Sequence, residues 1–276
     1  MIQQTDSLPD TRSSIPFGKS LMGVGIFALA VLWLLTEPFP QNPLYHEFAD
    51  QRLMFGVPHA MNVLSNTAFC LVGIWGSVVI VLRVEKSYGI GVIYLVFFFG
   101  VFFTGFGSAY YHWSPDDSTL VWDRLPMTAG FMAFTSVIIF ERYSESLAYK
   151  LFLPLLILGV LSVIYWDWFG DLRPYLVIQF GPMLILPLII WKFSGPGSRW
   201  LWLTMVFYVA AKLLEIYDHQ VFEFTTGLVS GHTLKHLAAA MATLMMVAKV
   251  SASVARQKSG NVQGINSSRC IQGVEK

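Results

Sequence analysis

The strongest constraint on this chain is a set of eight largely apolar stretches, each close to the 20 or so residues a helix needs to cross a hydrocarbon core of roughly 30 Å. They run approximately from Leu21 to Glu37, Pro58 to Leu82, Gly89 to Tyr111, Leu120 to Phe140, Tyr149 to Tyr165, Pro174 to Trp191, Trp200 to Tyr217 and Gly231 to Val250. A bilayer offers backbone amides no water, so each segment must pair its own amides, and a bundle of helices results. Composition agrees: 55% of residues are hydrophobic and 13% are charged, where a soluble domain carries roughly 25% charged. The expected fold is an all-α membrane protein.

Several function classes are excluded at this level. A net charge of +1 offers no basic field for nucleic acid, and no glycine-rich phosphate loop of the Walker or Rossmann kind occurs. Cys70 lies in an apolar run and Cys270 in the polar tail, so neither a disulfide nor a thiolate metal site is expected. The first apolar run is long and ends in "TEPFPQNP" without a small-residue cleavage pattern, which marks a retained span.

Lys and Arg alternate sharply between the connections. Arg12, Lys19, Arg83, Lys86, Arg142, Lys150, Lys192, Arg199 and the tail cations fall on one side, while Arg52, Arg124 and Arg173 fall on the other. By the positive-inside rule both termini are expected in the cytoplasm.

Polar residues at membrane depth then become informative, because they are costly there. On this topology the third stretch ends on the outer side with "GSAYYHW", the fourth begins there with "WDRLPM", and the eighth begins there with "SGHTLKH". His232 and His236 stand at i and i+4 and share a helix face, as Ser108 and His112 do. Asp123 follows after the short connection "WSPDDSTLVW", which makes the third and fourth helices antiparallel neighbours. Each feature alone has an ordinary explanation as an interfacial anchor or a packing residue. Three imidazoles and a carboxylate at one depth point instead to a cation that offsets their burial. Zinc suits three imidazoles, with water in the fourth position.

Other polar residues have quieter expectations. Lys212, Glu215 and Asp218 recur at i, i+3 and i+6 and suggest an internal ion pair. His219 and Glu223 belong to an outer connection. The 100° step per residue turns Lys235 off the His232 and His236 face, toward an acid or the interface.

The ordered set Ser108, His112, Asp123, His232 and His236, with "NVLSN" from Asn62 to Asn66, resembles the alkaline ceramidases and the wider CREST superfamily of membrane hydrolases, in its bacterial form. The resemblance implies a seven-span core over residues 58–250, with one additional N-terminal helix at 20–38. A leader at 1–19, an outer interfacial segment at 39–57 and a disordered tail at 251–276 complete the expected organisation. It further implies one zinc per chain held by His112, His232 and His236, with Asp123 moving a proton and Ser108 bonding the developing oxyanion or the metal's water. The implied reaction is hydrolysis of the amide of a ceramide or ceramide-like lipid that enters from the bilayer, with no protein partner.

Eukaryotic members carry an acid-rich calcium site before the Asn of this motif. Here His59 replaces its last glutamate and only Glu47 and Asp50 precede it, so calcium is not expected. A hydrolase of another lipid amide or ester, and a non-enzymatic relative of the progestin and adipoQ receptors, remain alternatives. The implied location is a bacterial inner membrane with the metal near the outer face.

Overall fold

A computed structural model describes residues 36–83 and 88–272. Met1–Phe39 and Pro40–Lys276 form separate compact units. Of the first, only Thr36 to Phe39 are described, as an exposed irregular segment. The leader and nearly all of the first expected span thus lie outside the described residues.

The second unit is helical among the described residues, apart from a single bridge between Met54 and Val57. After a 3-10 turn at Pro43–His46 come α1 (Ala60–Ser65), α2 (Thr67–Arg83), α3 (Tyr88–Trp113), α4 (Asp117–Arg142) and α5 (Glu145–Phe169). They are followed by α6 (Arg173–Lys192), α7 (Ser198–Ile216), α8 (Asp218–Phe224) and α9 (Gly231–Gln272).

Local chemistry sets the boundaries. Asp116 starts α4 by accepting the Thr119 amide at 2.7 Å, while Thr119 Oγ1 accepts the Asp116 amide at 3.2 Å, a reciprocal cap on two orphan donors. Ser144 caps α5, and Gly170 closes it in the left-handed conformation. The short link between α3 and α4 makes them antiparallel neighbours, as the sequence requires, and theirs is the most extensive helix interface.

The apolar core joins Phe97, Phe98 and Val101 of α3 to Val137 and Ile138 of α4, Ile190 of α6 and Met246 of α9. Large apolar side chains also point outward, including Leu71, Trp75, Phe103, Leu184 and Trp191. So much exposed apolar surface is what a lipid-facing bundle presents.

Among the described residues, five helices are long and apolar enough to cross a membrane: α1 with α2 as one span, α3, α5, α6 and α9. The pair α7 and α8, bent by 81° at their junction, makes a sixth if it is one span. α4 fails on composition because Asp117, Asp123, Arg124, Glu141 and Arg142 lie on it. It is also the helix packed against α3, α5 and α6 together, and Asp123 and Arg124 on it are buried against protein. The chain thus fits a multi-pass membrane protein.

α9 runs to Gln272, past Ser251 where the tail was expected to begin. Its sequence there contains no proline to stop the ladder.

Candidate metal centre

The site forms where α3 ends and α4 and α9 begin. Two close backbone approaches set its geometry. A methyl group at Gly107 would lie 2.0 Å from the Trp122 carbonyl oxygen, so only glycine lets α3 meet α4 one residue before Ser108 and one before Asp123. Pro126 contributes, since lacking an N–H it leaves that same carbonyl without its helical donor. At the start of α9, a methyl group at Gly231 would lie 2.3 Å from the Leu214 oxygen. Its neighbour His232 donates its amide to Asp218 Oδ1 at 2.6 Å, and Ser230 Oγ accepts the Thr233 amide at 3.0 Å. Thr233 in turn donates to Asn62 Oδ1 at 2.7 Å, pinning the first turn of α9 to α1.

This framework brings together the three histidines, all buried. His112 Nε2 lies 3.2 Å from His232 Nε2 and 3.2 Å from His236 Nε2, and the three ligand nitrogens fall within 4.8 Å of one another. Nitrogens bound at 2.0–2.1 Å to a tetrahedral ion stand about 3.3 Å apart, which the two distances from His112 match. Ser65 Oγ supports the tautomer needed: it donates to the Asn62 carbonyl at 3.0 Å, so it accepts from His236 Nδ1 at 2.8 Å and leaves the Nε2 lone pair facing the cluster. The group can therefore hold a metal ion.

Ser108, Asp123 and His236 line one cavity of about 140 Å³, whose remaining wall is largely apolar. Ser108 neighbours the Asp123 carboxyl. Among the described residues, Asp123 Oδ1 and His112 Nδ1 are buried without a hydrogen-bond partner.

The quieter expectations divide. Lys212 and Glu215 do pair, at 2.6 Å. Asp218 does not join them; it turns to cap His232 and also accepts the Ala49 amide at 2.9 Å. His219 and Glu223 are exposed on α8. Lys235 pairs with an acid, Glu215, at 2.6 Å, yet its ammonium lies 3.4 Å from His232 Nε2 instead of turning from the histidine face. Its four-carbon stem outreaches the angle its backbone position sets.

Sequence reasoning missed the strap from Pro40 to Arg52. Phe48 covers the histidines, with ring centroids 4.6 Å from His112 and 4.5 Å from His232. His46 Nδ1 meets the Tyr111 hydroxyl at 2.9 Å, and Tyr45 donates to Glu215 Oε1 at 3.2 Å. Asp50 is taken by Arg52, at 2.6 Å. Burial opposes ionisation of Asp50, but the Arg52 hydrogen bonds and charge outweigh it and hold this carboxyl below the usual carboxylate range. No motif signals such contacts, because the strap is irregular and its partners are distant in sequence.

No protein-family model matches this chain, and no curated protein matches it.

Proposed function

We propose that the chain is a zinc-dependent integral-membrane hydrolase of the alkaline ceramidase type. It cleaves the N-acyl amide of ceramide or a ceramide-like lipid, giving a sphingoid base or amine lipid and a fatty acid. The observation that carries this reading is the buried group of three Nε2 atoms beside an unpartnered carboxylate oxygen and a hydroxyl, at the head of an apolar cavity.

The donor set favours zinc, since three imidazoles without a thiolate or a fourth protein ligand suit a catalytic zinc with an open position. When bound, such an ion polarises a carbonyl and makes water acidic enough to ionise near pH 7. The chain's own residues do the rest. Asp123 Oδ1 accepts the proton of the attacking water and returns it to the leaving nitrogen. Ser108 donates to the developing oxyanion or orients that water. Phe97, Val101, Phe134 and Leu186 hold the acyl chain and exclude bulk water.

Counting α4 as a span, because its 26 residues reach about 39 Å, gives a seven-span core over residues 58–250 behind the additional helix. Both termini then lie in the cytoplasm and the site near the outer face. A reporter fused after Lys276 should read cytoplasmic; a periplasmic signal overturns this orientation.

The test of function is elemental analysis of detergent-purified protein, followed by fatty-acid release from ceramides and other N-acyl and ester lipids. About one zinc per chain with release from ceramides is expected. Release from another lipid alone moves the substrate, zinc without turnover favours the receptor-like alternative, and no zinc overturns the reading.

A further inference from the structure

Resting on the hydrolase reading, we propose that Lys212 and Lys235 recognise a carboxylate on the amine side of the substrate, making the preferred lipid an N-acyl amino acid. Both lysines line the same cavity as Ser108, Asp123 and His236. Glu215 bridges them, its Oε1 taking Lys235 and its Oε2 taking Lys212, each at 2.6 Å.

One glutamate is a full partner for one lysine, yet two partly buried lysines share it here. Each ammonium carries three donors, and Glu215 engages one from each. Among the described residues, no acid other than Glu215 hydrogen-bonds either lysine. Asp218 spends both oxygens on the backbone amides of His232 and Ala49. Arg124 donates to Gln41 at 2.6 Å and stacks on Trp166 and Tyr175, adding positive charge nearby. Asp123 is the remaining acid on the cavity wall, and the mechanism occupies it. Enclosing ammonium donors that have no acceptor is costly unless something arrives to pair with them. A ceramide brings hydroxyls on its leaving side and no charge.

Distance selects the position of the missing anion. In an N-acyl amino acid the carboxylate carbon is three bonds from the scissile carbon, about 4 Å away. Lys235 Nζ lies 3.4 Å from His232 Nε2, within that reach of the metal-binding nitrogens. The acyl chain would occupy the apolar wall while the carboxylate meets the lysines. Hydrolysis then adds water's hydroxyl to the carbonyl carbon, breaks the C–N bond, and sends the amino acid away with the remaining proton on its nitrogen.

N-palmitoylglycine and N-palmitoylethanolamine share the chain and the amide and differ in a carboxylate against a hydroxymethyl group. With zinc-loaded full-length protein, the acid should exceed the neutral amide in kcat/KM by on the order of tenfold, the worth of one charge-assisted hydrogen bond. Lys212→Met should bring the two substrates near parity, while Lys212→Arg should keep the preference. If Lys212→Met does not fold, Lys235→Gln reads the same ratio. Equal rates in the wild type, with both amides cleaved, overturn the inference and leave the hydrolase reading standing. If zinc is present and neither amide is cleaved, that reading fails for these lipids, and equilibrium binding decides the inference. Tighter binding of the acid that is lost in Lys212→Met upholds it, and equal binding overturns it.

Discussion

Two buried polar clusters are built on the same three helices and are finished differently. Far from the metal centre, Tyr94 of α3, Glu141 of α4 and Lys249 of α9 form a closed triangle. Lys249 donates to Glu141 and, at 3.1 Å, to the Tyr94 hydroxyl, and Tyr94 donates to Glu141 at 2.7 Å. One positive charge meets one negative charge. Near the candidate metal centre, the same helices supply His112, Asp123, His232 and His236, and there the books do not close. Among the described residues, Asp123 Oδ1 and His112 Nδ1 have no partner, and two lysines share Glu215. Buried charge alone therefore does not mark a site in this bundle. What separates the two clusters is that the unpartnered atoms of the second, Asp123 Oδ1 and His112 Nδ1, belong to side chains at or beside a cavity, the condition under which a polar group is kept for a ligand.

The largest expected effect breaks one end without touching the other. On the proposed hydrolase reading, His236→Ala should take zinc from about one per chain to a small fraction and lower hydrolysis on the order of 10³-fold, because several kcal/mol of transition-state stabilisation would go with the ion. Glu141→Gln should leave zinc content unchanged. Elemental analysis of the two purified variants checks both, and zinc loss in the Glu141 variant would mean that the ends are coupled.

The next effect is on stability, and its sign distinguishes a closed pair from a redundant one. Lys249→Met leaves the partly buried Glu141 without its cation and should cost about 3 kcal/mol in denaturation. The Lys249→Met, Glu141→Gln double variant should recover most of it. Lys212→Met should cost less than about 2 kcal/mol, because Lys235 keeps Glu215 paired. An equal loss for the two lysines would show that both ends are structural.

The histidines were legible in the sequence because helical spacing and alternation of spans fix depth and face together. His232 and His236 share a face by their interval, and His112 reaches the same level because α3 ends where α9 begins. The α3 and α4 pairing was legible for a similar reason, since a short connection leaves one arrangement. Lys235 was legible in part: it pairs with an acid, Glu215, as expected, but its long stem also brings its ammonium to 3.4 Å from His232 Nε2, which the backbone angle alone did not show. Phe48, Tyr45 and His46 were invisible, since they sit on an irregular strap where contacts follow no period.

A smaller effect concerns the joint that holds the site's two helices together. Gly107→Ala puts a carbon 2.0 Å from a backbone oxygen that cannot turn aside, so α3 and α4 must part there. The cost should be about 2 kcal/mol of overpacking, with kcat falling more than KM rises because Ser108 and Asp123 lose their mutual placement. Gly91 on the same helix has nothing within 4 Å of such a carbon. Gly91→Ala should therefore be neutral or stabilising by up to about 1 kcal/mol. Melting curves and steady-state kinetics on the pair test whether close approach, and not helix propensity, governs this position.

The smallest effect tests the site end through its helix cap. Asp116 is exposed, and the Ser118 hydroxyl and Thr119 amide, each at 2.7 Å from its Oδ1, hold its carboxyl below the usual range. Asp116→Ala should cost about 1 kcal/mol, while Asp116→Asn, which can still accept these hydrogen bonds, should cost little near pH 7. The two proteins must then diverge with acid. With the folded pKa below the unfolded one, the wild-type carboxylate contributes fully above about pH 4 and loses its contribution as pH falls through the folded value. The asparagine has no proton to gain. The stability difference between wild type and Asp116→Asn should be flat from pH 7 to about 5 and shift in favour of asparagine below that. Because Asp116 begins α4 seven residues before Asp123 and far from Glu141, the alanine variant should loosen amide protection in the first turns of α4 while leaving the Glu141 end as in the wild type. Equal loosening at both ends would mean that α4 opens as one unit, and the two clusters could no longer be treated as independently finished.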